Sequence, residues 1–278
     1  MEKVLQNKVA VVTGGGGVLG SEFAKALARA GAKVAIMNRT VATAQAVVDA
    51  IQADGGEAIA VPCDVLDKAA VEKAAAEILA KLGPCDILLN AAGGNHPAAT
   101  SSKEIFEPAA DDSMAGTFFD LKVEGFNAVF QLNFMGTFIP TQVFAQQMLG
   151  RQGATVINVS SMSAYHPLTK VAAYSAAKAA ISNFTEWLAV HLAPAGIRVN
   201  AIAPGFFLTE QNRTLLTNPD GSLTPRANKI ISHTPMKRFG DPQDLLGTLL
   251  WLADENAAGF VTGIVVPVDG GFNAYAGV

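Results

Sequence analysis

The sequence predicts an α/β fold in which a parallel sheet of about seven strands is flanked by helices. Three observations carry this prediction. Short apolar runs alternate with amphipathic stretches from one end of the chain to the other. A run of glycines stands directly after the first apolar run. Half of the 278 residues are hydrophobic and only 16% are charged, which is far from the composition of disordered chains.

The apolar runs have the length and composition of strands that are buried on both faces of a sheet. In chain order they span residues 8–13, 33–37, 58–62, 86–90, 155–160, 197–203 and 264–268. Each run is separated from the next by a stretch long enough for a crossover helix. This order predicts a parallel sheet with helices on both faces.

The intervening stretches carry helical periodicity. Two apolar faces recur at this spacing, the first formed by Phe23, Ala24, Leu27 and Ala28 and the second by Val71, Ala75, Ile78 and Leu82. Longer helices are predicted near 122–149 and 174–193. No linker or change of composition divides the chain, so we expect one domain over residues 1–278.

Two stretches, 94–121 and 206–238, are longer than ordinary connections. Both follow the carboxyl ends of predicted strands, which is the edge where open α/β sheets bind ligands. We therefore expect both to be substrate loops. The 206–238 stretch is further predicted to be a mobile lid that closes over the substrate.

Charge and cysteine content exclude several classes of function. The chain has 20 basic and 24 acidic residues, a net charge of -4, so it gives no electrostatic argument for nucleic acid or an anionic membrane surface. No apolar stretch approaches the length of a membrane span. Cys63 and Cys85 are too few for a disulfide framework or a cysteine-rich metal site, so we expect a cytoplasmic protein without a metal. A mean hydropathy of +0.29 favours subunit interfaces.

The glycine loop at 14–20 lies between the first predicted strand and a predicted helix. Such a loop lets the backbone approach a pyrophosphate, and the helix amino terminus adds unpaired N–H groups and a partial positive charge. A merely flexible turn is the alternative, which the strand before and the helix after disfavour. A P-loop is disfavoured because Ser21 and Glu22 follow Gly20, where Lys and Ser or Thr are needed.

The second predicted strand ends in Asn38 and Arg39, the region where nicotinamide dinucleotides are distinguished. An acidic residue here would bind the ribose hydroxyls of NAD, whereas an Arg accommodates the 2′-phosphate of NADP. The absence of a carboxylate favours NADP(H) over NAD(H). Two alternatives stay open: Arg39 as a solvated surface charge, and Asn38 as a hydrogen-bond partner of the NAD hydroxyls.

Tyr174 and Lys178 are spaced i and i+4 on the helix predicted at 174–193, so they share one face. At roughly 5 Å and an effective dielectric near 20, one ammonium stabilises a phenolate by about 3 kcal/mol, which would lower the tyrosine pKa by more than two. We therefore expect Lys178 to bring Tyr174 into a useful range for acid–base chemistry. Because this spacing is common by chance, a purely structural pair is the alternative.

Two further polar features accompany this pair. Ser160 and Ser161 end the preceding predicted strand, at the ligand edge of the sheet, where a hydroxyl can donate to a substrate carbonyl. Asn133 interrupts an apolar helical pattern, and a buried amide must find partners. Those partners are either structural or a water in a proton relay.

Together these motifs resemble those of the short-chain dehydrogenase/reductase family over nearly the whole chain. The matching pieces follow the family order: the glycine loop, Asp64, Asn90 with Gly93, Asn133, Ser161, Tyr174 with Lys178, Pro204-Gly205 with Thr209, and Asp269-Gly270-Gly271. Ser161, rather than Ser160, has the family spacing of 13 residues to Tyr174. One departure is Val18, which stands where the family's middle glycine is expected, so which glycine meets the pyrophosphate stays open.

The resemblance implies a single-domain, Rossmann-type, doubly wound sheet and a set of roles. Tyr174 would exchange the substrate proton, Ser161 orient the carbonyl, Lys178 bind the nicotinamide ribose and lower the tyrosine pKa, and Asn133 support a water relay. The resemblance also implies cofactor contacts at Gly14, Gly17, Leu19, Gly20, Asn38, Arg39, Asp64, Asn90, Gly93, Tyr174, Lys178, Pro204, Gly205 and Thr209. For Asp64 a turn residue, and for Asn90 a strand-end hydrogen bond, are the structural alternatives.

Within that family, the chain resembles the D-mannonate oxidoreductase (fructuronate reductase) group at 17–20, 94–97 and 118–121. This implies an NAD(P)-dependent oxidoreductase that interconverts a secondary alcohol and a ketone, here on a sugar acid, and a homotetramer. Candidate residues for the sugar acid are Asn95, His96, His166, Lys170 and Arg213. The alternatives are a 3-oxoacyl or general carbonyl reductase and, from another class, a dinucleotide-sensing module without turnover.

Overall fold

The computed structural model describes residues 3–107, 113–209 and 213–277. Its strands form one seven-stranded parallel sheet in the order β3-β2-β1-β4-β5-β6-β7. The strands are β1 (Val9–Thr13), β2 (Lys33–Asn38), β3 (Glu57–Pro62), β4 (Ile87–Asn90), β5 (Thr155–Val159), β6 (Arg198–Pro204) and β7 (Val265–Val268). The predicted fold class is confirmed, and each predicted strand end lies within one residue of the observed one. The extent of the domain over residues 1–278 stays a prediction.

Ten α-helices occur in the described parts of the chain. They are α1 (Val18–Arg29), α2 (Val41–Ala53), α3 (Lys68–Lys81), α4 (Val123–Phe130), α5 (Gly136–Met148), α6 (Ala172–Leu192), α7 (Arg213–Leu216), α8 (Pro225–His233), α9 (Leu246–Ala253) and α10 (Glu255–Ala258). The single helix predicted near 122–149 is instead α4 and α5 joined by a π-helical segment, Gln131–Met135. Such segments insert one extra residue per turn and are frequent at functional sites.

The central strands are buried on both faces because their side chains alternate between two hydrophobic clusters. In β1, Ala10 and Val12 belong to the cluster beneath α1, α2 and α9. Val9 and Val11 belong to the opposite cluster, with α3, α5 and the carboxyl half of α6. This arrangement explains why the strands have continuous apolar runs in the sequence.

The amino-terminal edge of the sheet is held by a buried carboxylate. Asp86 Oδ2 accepts the Val9 backbone N–H at 2.8 Å, and its Oδ1 accepts from Nε and Nη2 of Arg151 at 2.9 and 2.7 Å. The Asp86 main chain is hydrogen-bonded to Val9 and Thr155 as well. One residue therefore connects the starts of β1, β4 and β5.

The carboxyl-terminal edge is where the strand order reverses direction. β1 lies between β2 and β4, and Thr13 is level with Asn90. At such a switch point the crossovers on either side leave a crevice between neighbouring strand ends. The glycine loop and the segment after β4 both open into this crevice.

The two long segments are more ordered than the sequence predicts. The 94–121 segment contains short 3-10 helices at Pro97–Ala99 and Phe118–Asp120, and the 206–238 segment contains α7 and α8. The latter segment has a small apolar cluster of its own around Leu216, Ala227 and Ile230. Residues 108–112 and 210–212 lie outside the described residues. Across the described chain, no helix combines the length and apolar character needed to span a membrane.

Candidate active site

The glycine loop approaches the next strand end more closely than a side chain permits. Gly14 has a φ of +64°, and a Cβ on it would stand 2.7 Å from Cα of Ala92. A Cβ on Gly20 would collide with the carbonyl oxygen of Gly14. α1 begins after Gly17 with no side-chain cap, so its first N–H groups face outward for a ligand. This loop and helix end fit the pyrophosphate of a dinucleotide.

The structure divides the glycines of the loop into two groups. Gly14, Gly17 and Gly20 line the crevice, together with Val18 and Leu19. Gly15 and Gly16 instead face β2 and the start of α2, where a Cβ on Gly16 would stand 2.7 Å from Oγ1 of Thr43. Val18 therefore takes the place of the family's middle glycine without leaving the crevice wall.

The crevice has a volume of about 620 Å³ and runs along the carboxyl ends of β1, β2, β4, β5 and β6. Most of the predicted cofactor and catalytic residues share its walls: Gly14, Gly17, Leu19, Gly20, Asn38, Arg39, Gly93, Ser161, Tyr174, Lys178, Pro204, Gly205 and Thr209. The volume is within the range of small-molecule and cofactor sites.

Asp64 and Asn90 lie beside the crevice but are not among the residues that line it. Asp64 Oδ1 accepts the Leu66 backbone N–H at 3.0 Å, the turn geometry of its structural alternative. Asn90 is buried, and its Nδ2 donates to Oγ1 of Thr141 at 2.8 Å and to Oδ1 of Asn158 at 2.9 Å. The direct lining at these places comes from the neighbouring residues Cys63, Val65 and Ala91.

The end of β6 meets the Asp269-Gly270-Gly271 turn. A Cβ on Gly205 would stand 2.6 Å from both Cα and Cβ of Asp269, so glycine is required there. Asp269 holds the turn through Oδ1, which accepts the Gly271 N–H at 2.9 Å, and Oδ2, which accepts the Asn273 N–H at 2.7 Å. The late glycine motif thus supports the wall that carries Pro204 and Gly205.

Ser161, Tyr174 and Lys178 come together at the ends of β5 and the start of α6. Lys178 is only 4% exposed, and its Nζ donates to the Val159 carbonyl at 2.7 Å. The same Nζ lies 5.5 Å from the centroid of the Tyr174 ring. Ser161 is also buried, and its Oγ accepts the Ser163 backbone N–H at 3.2 Å. Ser160 also lines the crevice, but its hydroxyl contacts Ser182 Oγ at 2.7 Å and donates to the Lys178 carbonyl at 3.1 Å.

Ionisation of this pair differs from the expectation based on spacing alone. Burial raises the pKa of Tyr174 above its usual 10.0, with the Ser161 side chain acting in the opposite direction. Burial also lowers the pKa of Lys178 to about 8. The expected lowering of the tyrosine pKa is absent because the surroundings that keep the phenol neutral also disfavour the ammonium beside it. The phenol therefore needs an additional positive charge nearby to ionise near neutrality.

Asn133 lies in the π-helical segment and is completely buried. Its Nδ2 donates to the carbonyls of Gly94 and Val129 at 2.7 and 2.8 Å, and its Oδ1 accepts the Gly94 N–H at 3.2 Å. Asn133 thus fixes the chain directly after Gly93. The partners of its side chain are backbone groups of Gly94, in the crevice wall, and of Val129, in α4.

None of the five predicted substrate residues lines the crevice. Asn95 and His96 line a separate surface depression, where Asn95 contacts Thr100 at 2.9 Å and His96 Nδ1 accepts the Ala98 N–H at 3.2 Å. His166 is exposed, and its Nε2 lies 3.0 Å from the Asn273 carbonyl oxygen. The carbonyl of Lys170 accepts the Ser101 N–H at 2.9 Å. Arg213 begins α7.

Several crevice residues were not singled out from the sequence. They are mostly apolar or backbone contributors: Cys63, Val65, Leu132, Val159, Phe206 and Phe207. Their only signal in the sequence is their position directly after predicted strands or beside a motif residue. Among the described residues, no group of three or more histidines, cysteines and acidic residues is arranged to hold a metal ion.

Comparison with known proteins places this geometry in a family. A family model described as short chain dehydrogenase matches residues 8–220. A relative from Bacillus subtilis (strain 168), an uncharacterized oxidoreductase called UxuB, is 59% identical over 274 residues, or 99% of this chain and 98% of that protein. The 7alpha-hydroxysteroid dehydrogenase of Escherichia coli (strain K12) is 33% identical over 267 residues, or 96% of this chain and 94% of that protein.

A solved structure from Haemophilus influenza is similar over the same length. It is described as a candidate D-mannonate oxidoreductase with bound NAD, and it is 51% identical to this chain. The TM-score is 0.95, with 99% of this chain and 98% of that chain covered.

Proposed function

The chain belongs to the short-chain dehydrogenase family of oxidoreductases that act on CH–OH donors, and we propose that its substrate is a sugar acid of the D-mannonate/D-fructuronate type. The reaction would interconvert a secondary alcohol and a ketone. The observation that carries this proposal is the convergence of Ser161, Tyr174 and Lys178 on the wall of the crevice. The similarity to the structure described as a candidate D-mannonate oxidoreductase supports the choice of substrate.

Residues already described would hold a nicotinamide dinucleotide. The first turn of α1 and Gly14 would hold the pyrophosphate, and Asn38 lies where the adenosine ribose would bind. The Pro204–Thr209 wall and Lys178 would hold the nicotinamide end. When bound, the dinucleotide accepts the hydride from the alcohol carbon or returns it to the ketone carbon.

The chain itself would handle the proton. In oxidation, the substrate hydroxyl gives its proton to the Tyr174 phenolate oxygen as the C–H electrons leave with the hydride, and the C=O bond forms. In reduction, the Tyr174 hydroxyl returns that proton to the carbonyl oxygen. The Ser161 hydroxyl would donate to the same oxygen and orient it.

Lys178 and Asn133 would support this transfer without touching the reacting carbon. Because its Nζ is held by the Val159 carbonyl, the Lys178 ammonium stands at a fixed place beside the tyrosine ring. Its charge favours the phenolate, which opposes the effect of burial. Asn133 would connect this group to water through the Gly94 backbone that it binds.

Two neighbouring residues support different cofactors. Arg39 is exposed and lines the crevice, which supports NADP(H), the cofactor that the sequence favours. Asn38 supports NAD(H), because an amide oxygen can accept from a ribose hydroxyl. Titration of the protein with NADH and with NADPH, and comparison of the two affinities, distinguishes these two preferences.

Exposed aromatic surface supports a homo-oligomer, for which we propose a tetramer. Trp187 and Val190 on α6 are 57% and 78% exposed, and Trp187 stacks between Phe184 and His191. Phe260, beyond α10, is also fully exposed. Such surface is usually covered by a partner. Because both Cys63 and Cys85 are unpaired, we also propose a reducing, cytoplasmic location.

The 206–238 segment is proposed to be a lid over the substrate. It contacts the 94–121 segment, the other proposed substrate loop, through an ion pair between Lys229 and Glu104. Asn95, His96, His166, Lys170 and Arg213 remain the proposed residues for the sugar-acid carboxylate and hydroxyls. Because none of the five lines the crevice, closure of the lid would be needed to bring Arg213 to it.

One screen tests the proposed function. Change in nicotinamide fluorescence is followed with NAD(H) and NADP(H) against hexonates, hexuronates, simple ketones, 3-oxoacyl thioesters and hydroxysteroids. Turnover of a hexonate or hexuronate with the highest kcat/KM supports the proposal. A preference for 3-oxoacyl thioesters or simple ketones would indicate the alternative reductase. Binding of a dinucleotide with no turnover across the panel would indicate the sensing module.

A further inference from the structure

A small hydrogen-bonded cluster at the end of β2 determines how the Asn38 amide is oriented. Thr43 Oγ1 donates to the Thr40 carbonyl at 2.9 Å. Asn38 Nδ2 donates to Oγ1 of Thr43 at 2.7 Å and to the Thr40 carbonyl at 3.2 Å. The two threonines belong to the entry and first turn of α2, directly beside the crevice.

The chemistry of these partners permits one orientation of the amide. A backbone carbonyl only accepts hydrogen bonds, and the single proton of the Thr43 hydroxyl is already donated to the Thr40 carbonyl. The Asn38 atom that faces both groups must therefore be the NH₂ donor. The amide oxygen, Oδ1, points to the opposite edge, and it has no hydrogen-bond partner within the described chain.

Gly16 provides the space for this cluster. A Cβ at Gly16 would stand 2.7 Å from Oγ1 of Thr43 and 2.9 Å from Nδ2 of Asn38. Asn38 lines the crevice, whereas Gly16 and Thr43 do not. The donor edge of the amide is therefore turned toward the glycine loop and α2, and the acceptor edge is left for the crevice.

We propose that Thr43 is a positioning residue that presents only the carbonyl oxygen of Asn38 to the adenosine ribose and thereby makes the site select NAD(H) over NADP(H). A ribose 2′-hydroxyl can donate to Oδ1. A 2′-phosphate presents acceptor oxygens and negative charge, so the same oxygen repels it. This inference rests on the proposed dinucleotide binding, and it opposes the preference for NADP(H) that Arg39 suggested.

The test measures binding rather than turnover. NADH and NADPH are titrated without substrate into the wild type, Thr43→Val and Thr43→Ser, by isothermal calorimetry. Thr43→Val keeps the shape of the side chain but removes the closer of the two acceptors that fix the amide. Only the 3.2 Å contact with the Thr40 carbonyl is left to hold the NH₂ group, so the orientation of the amide is less firmly fixed. Thr155→Val is the matched control, because that buried hydroxyl has no hydrogen-bond partner in the described chain and lies at the amino end of β5.

We expect the wild type to bind NADH more tightly than NADPH. Thr43→Val should weaken NADH binding about three- to tenfold, the range of one lost hydrogen bond, and leave NADPH binding unchanged or stronger. Thr43→Ser should restore the wild-type ratio, and Thr155→Val should not change it. Thermal unfolding of each variant shows that the fold is retained.

The outcomes separate this inference from the proposed function. Equal weakening of both dinucleotides by Thr43→Val would assign Thr43 a purely structural role and overturn the inference. A wild type that prefers NADPH would overturn it as well and assign the selection to Arg39. If the wild type bound neither dinucleotide, the proposed function itself would fail.

Discussion

Gly93 lies so close to the side chain of Asn133 that only a glycine fits at position 93. A Cβ on Gly93 would stand 2.7 Å from Oδ1 of Asn133 and 3.3 Å from Nζ of Lys178. The same Asn133 amide binds the backbone of Gly94 twice: it accepts the Gly94 N–H and donates to the Gly94 carbonyl. The crevice wall, the π-helical segment and the proposed catalytic lysine therefore meet at one residue without a side chain.

Gly93→Ala is expected to displace the Asn133 amide and disturb Lys178. We expect kcat to fall at least about tenfold, and the free energy of unfolding to fall by about 1–3 kcal/mol, the usual cost of overpacking. Steady-state kinetics and urea unfolding measure the two effects. Gly94→Ala is the matched control, because its Cβ would meet only Cδ2 of Leu132, at 3.7 Å. A Gly93→Ala enzyme with wild-type kcat would show that Asn133 is not needed in this position.

Tyr174→Phe removes the proposed proton donor and little else. We expect kcat to fall by about 10²–10⁴, the range for a general acid–base group, while NADH binding in the absence of substrate stays within about twofold. Tyr165→Phe is the control. Its hydroxyl donates to the Val265 carbonyl at 2.9 Å, outside the crevice, so its kcat should be unchanged. Full activity in Tyr174→Phe would reject the assignment of the proton donor.

The pH dependence of Tyr174 follows from its burial. Because burial raises its pKa, the neutral phenol should persist in the protein alone through the usual range of tyrosine, near 10. An absorbance titration near 295 nm, with the Tyr174→Phe signal subtracted, isolates this one phenol. We expect its ionisation above pH 10 without ligand, and at lower pH when NAD⁺ is added, since the positively charged ring favours the phenolate.

The same titration has a consequence for stability. A group whose pKa is raised on folding stabilises the folded state below its unfolded pKa and loses that contribution as the pH rises through the folded value. Tyr174 should therefore cost stability only above about pH 10. A titration step below pH 10 without ligand would contradict the effect of burial. No downward movement with NAD⁺ would remove the electrostatic basis of the proposed mechanism.

The fold was predictable because burial on both faces leaves a local signal. Most strands of the sheet are apolar runs, although β5 and β6 each include one buried asparagine, Asn158 and Asn200. The π-helical segment at Asn133 was not predictable. A polar residue in an apolar helix indicates a buried amide, but the extra residue per turn depends on the Gly94 backbone 39 positions earlier.

The sequence predicts those site residues whose chemistry requires a particular residue type. It does not predict contacts that depend on parts of the chain distant in sequence. Tyr174 and Lys178 share the crevice as their spacing predicts, but spacing carries no information on desolvation, which reverses the expected shift of the tyrosine pKa. Asn95 and His96 are near the motif in sequence, yet their loop turns them to a separate depression. The role of Thr43 was invisible because its partner is determined by the bend between β2 and α2.

The Glu104–Lys229 ion pair is expected to hold the proposed lid against the 94–121 segment. Lys229→Glu places two carboxylates opposite each other, so we expect faster proteolytic cleavage within 206–238 and a higher KM for the substrate. The double variant Glu104→Lys, Lys229→Glu should restore the slow cleavage. Because the pair is exposed, high salt should reduce the difference between wild type and Lys229→Glu.

A charge reversal within one segment is the control for this prediction. Lys122 pairs with Asp120 at 3.0 Å, and both belong to the region before α4. Lys122→Glu should therefore leave cleavage of 206–238 unchanged. If the double variant were cleaved as fast as Lys229→Glu, the pair would have no role in closure. Equal cleavage of the wild type with and without ligands would argue against a lid altogether.

The Asp86–Arg151 pair, at the opposite edge of the sheet from the crevice, is expected to contribute to stability and not to catalysis. Asp86→Ala removes the acceptor of both the Val9 N–H and the Arg151 guanidinium. The Asp86 side chain is 2% exposed, so the Val9 N–H would lose its partner in a place that water reaches poorly. Arg151 is 34% exposed and would be partly rehydrated, which moderates the loss. We expect the free energy of unfolding to fall by about 2–4 kcal/mol.

Urea unfolding of Asp86→Ala, Arg151→Ala and the double variant measures the coupling between the two side chains. Asp54→Ala is the matched control. Asp54 pairs with Arg29 at 3.0 Å, but both side chains are about half exposed, so its loss should change stability by less than about 1 kcal/mol. Because this edge lies far from the crevice along every strand, kcat/KM at 25 °C should stay near the wild-type value in the variants that fold. An Asp86→Ala protein as stable as Asp54→Ala would mean that the backbone pairing of β1, β4 and β5 holds this edge without the carboxylate.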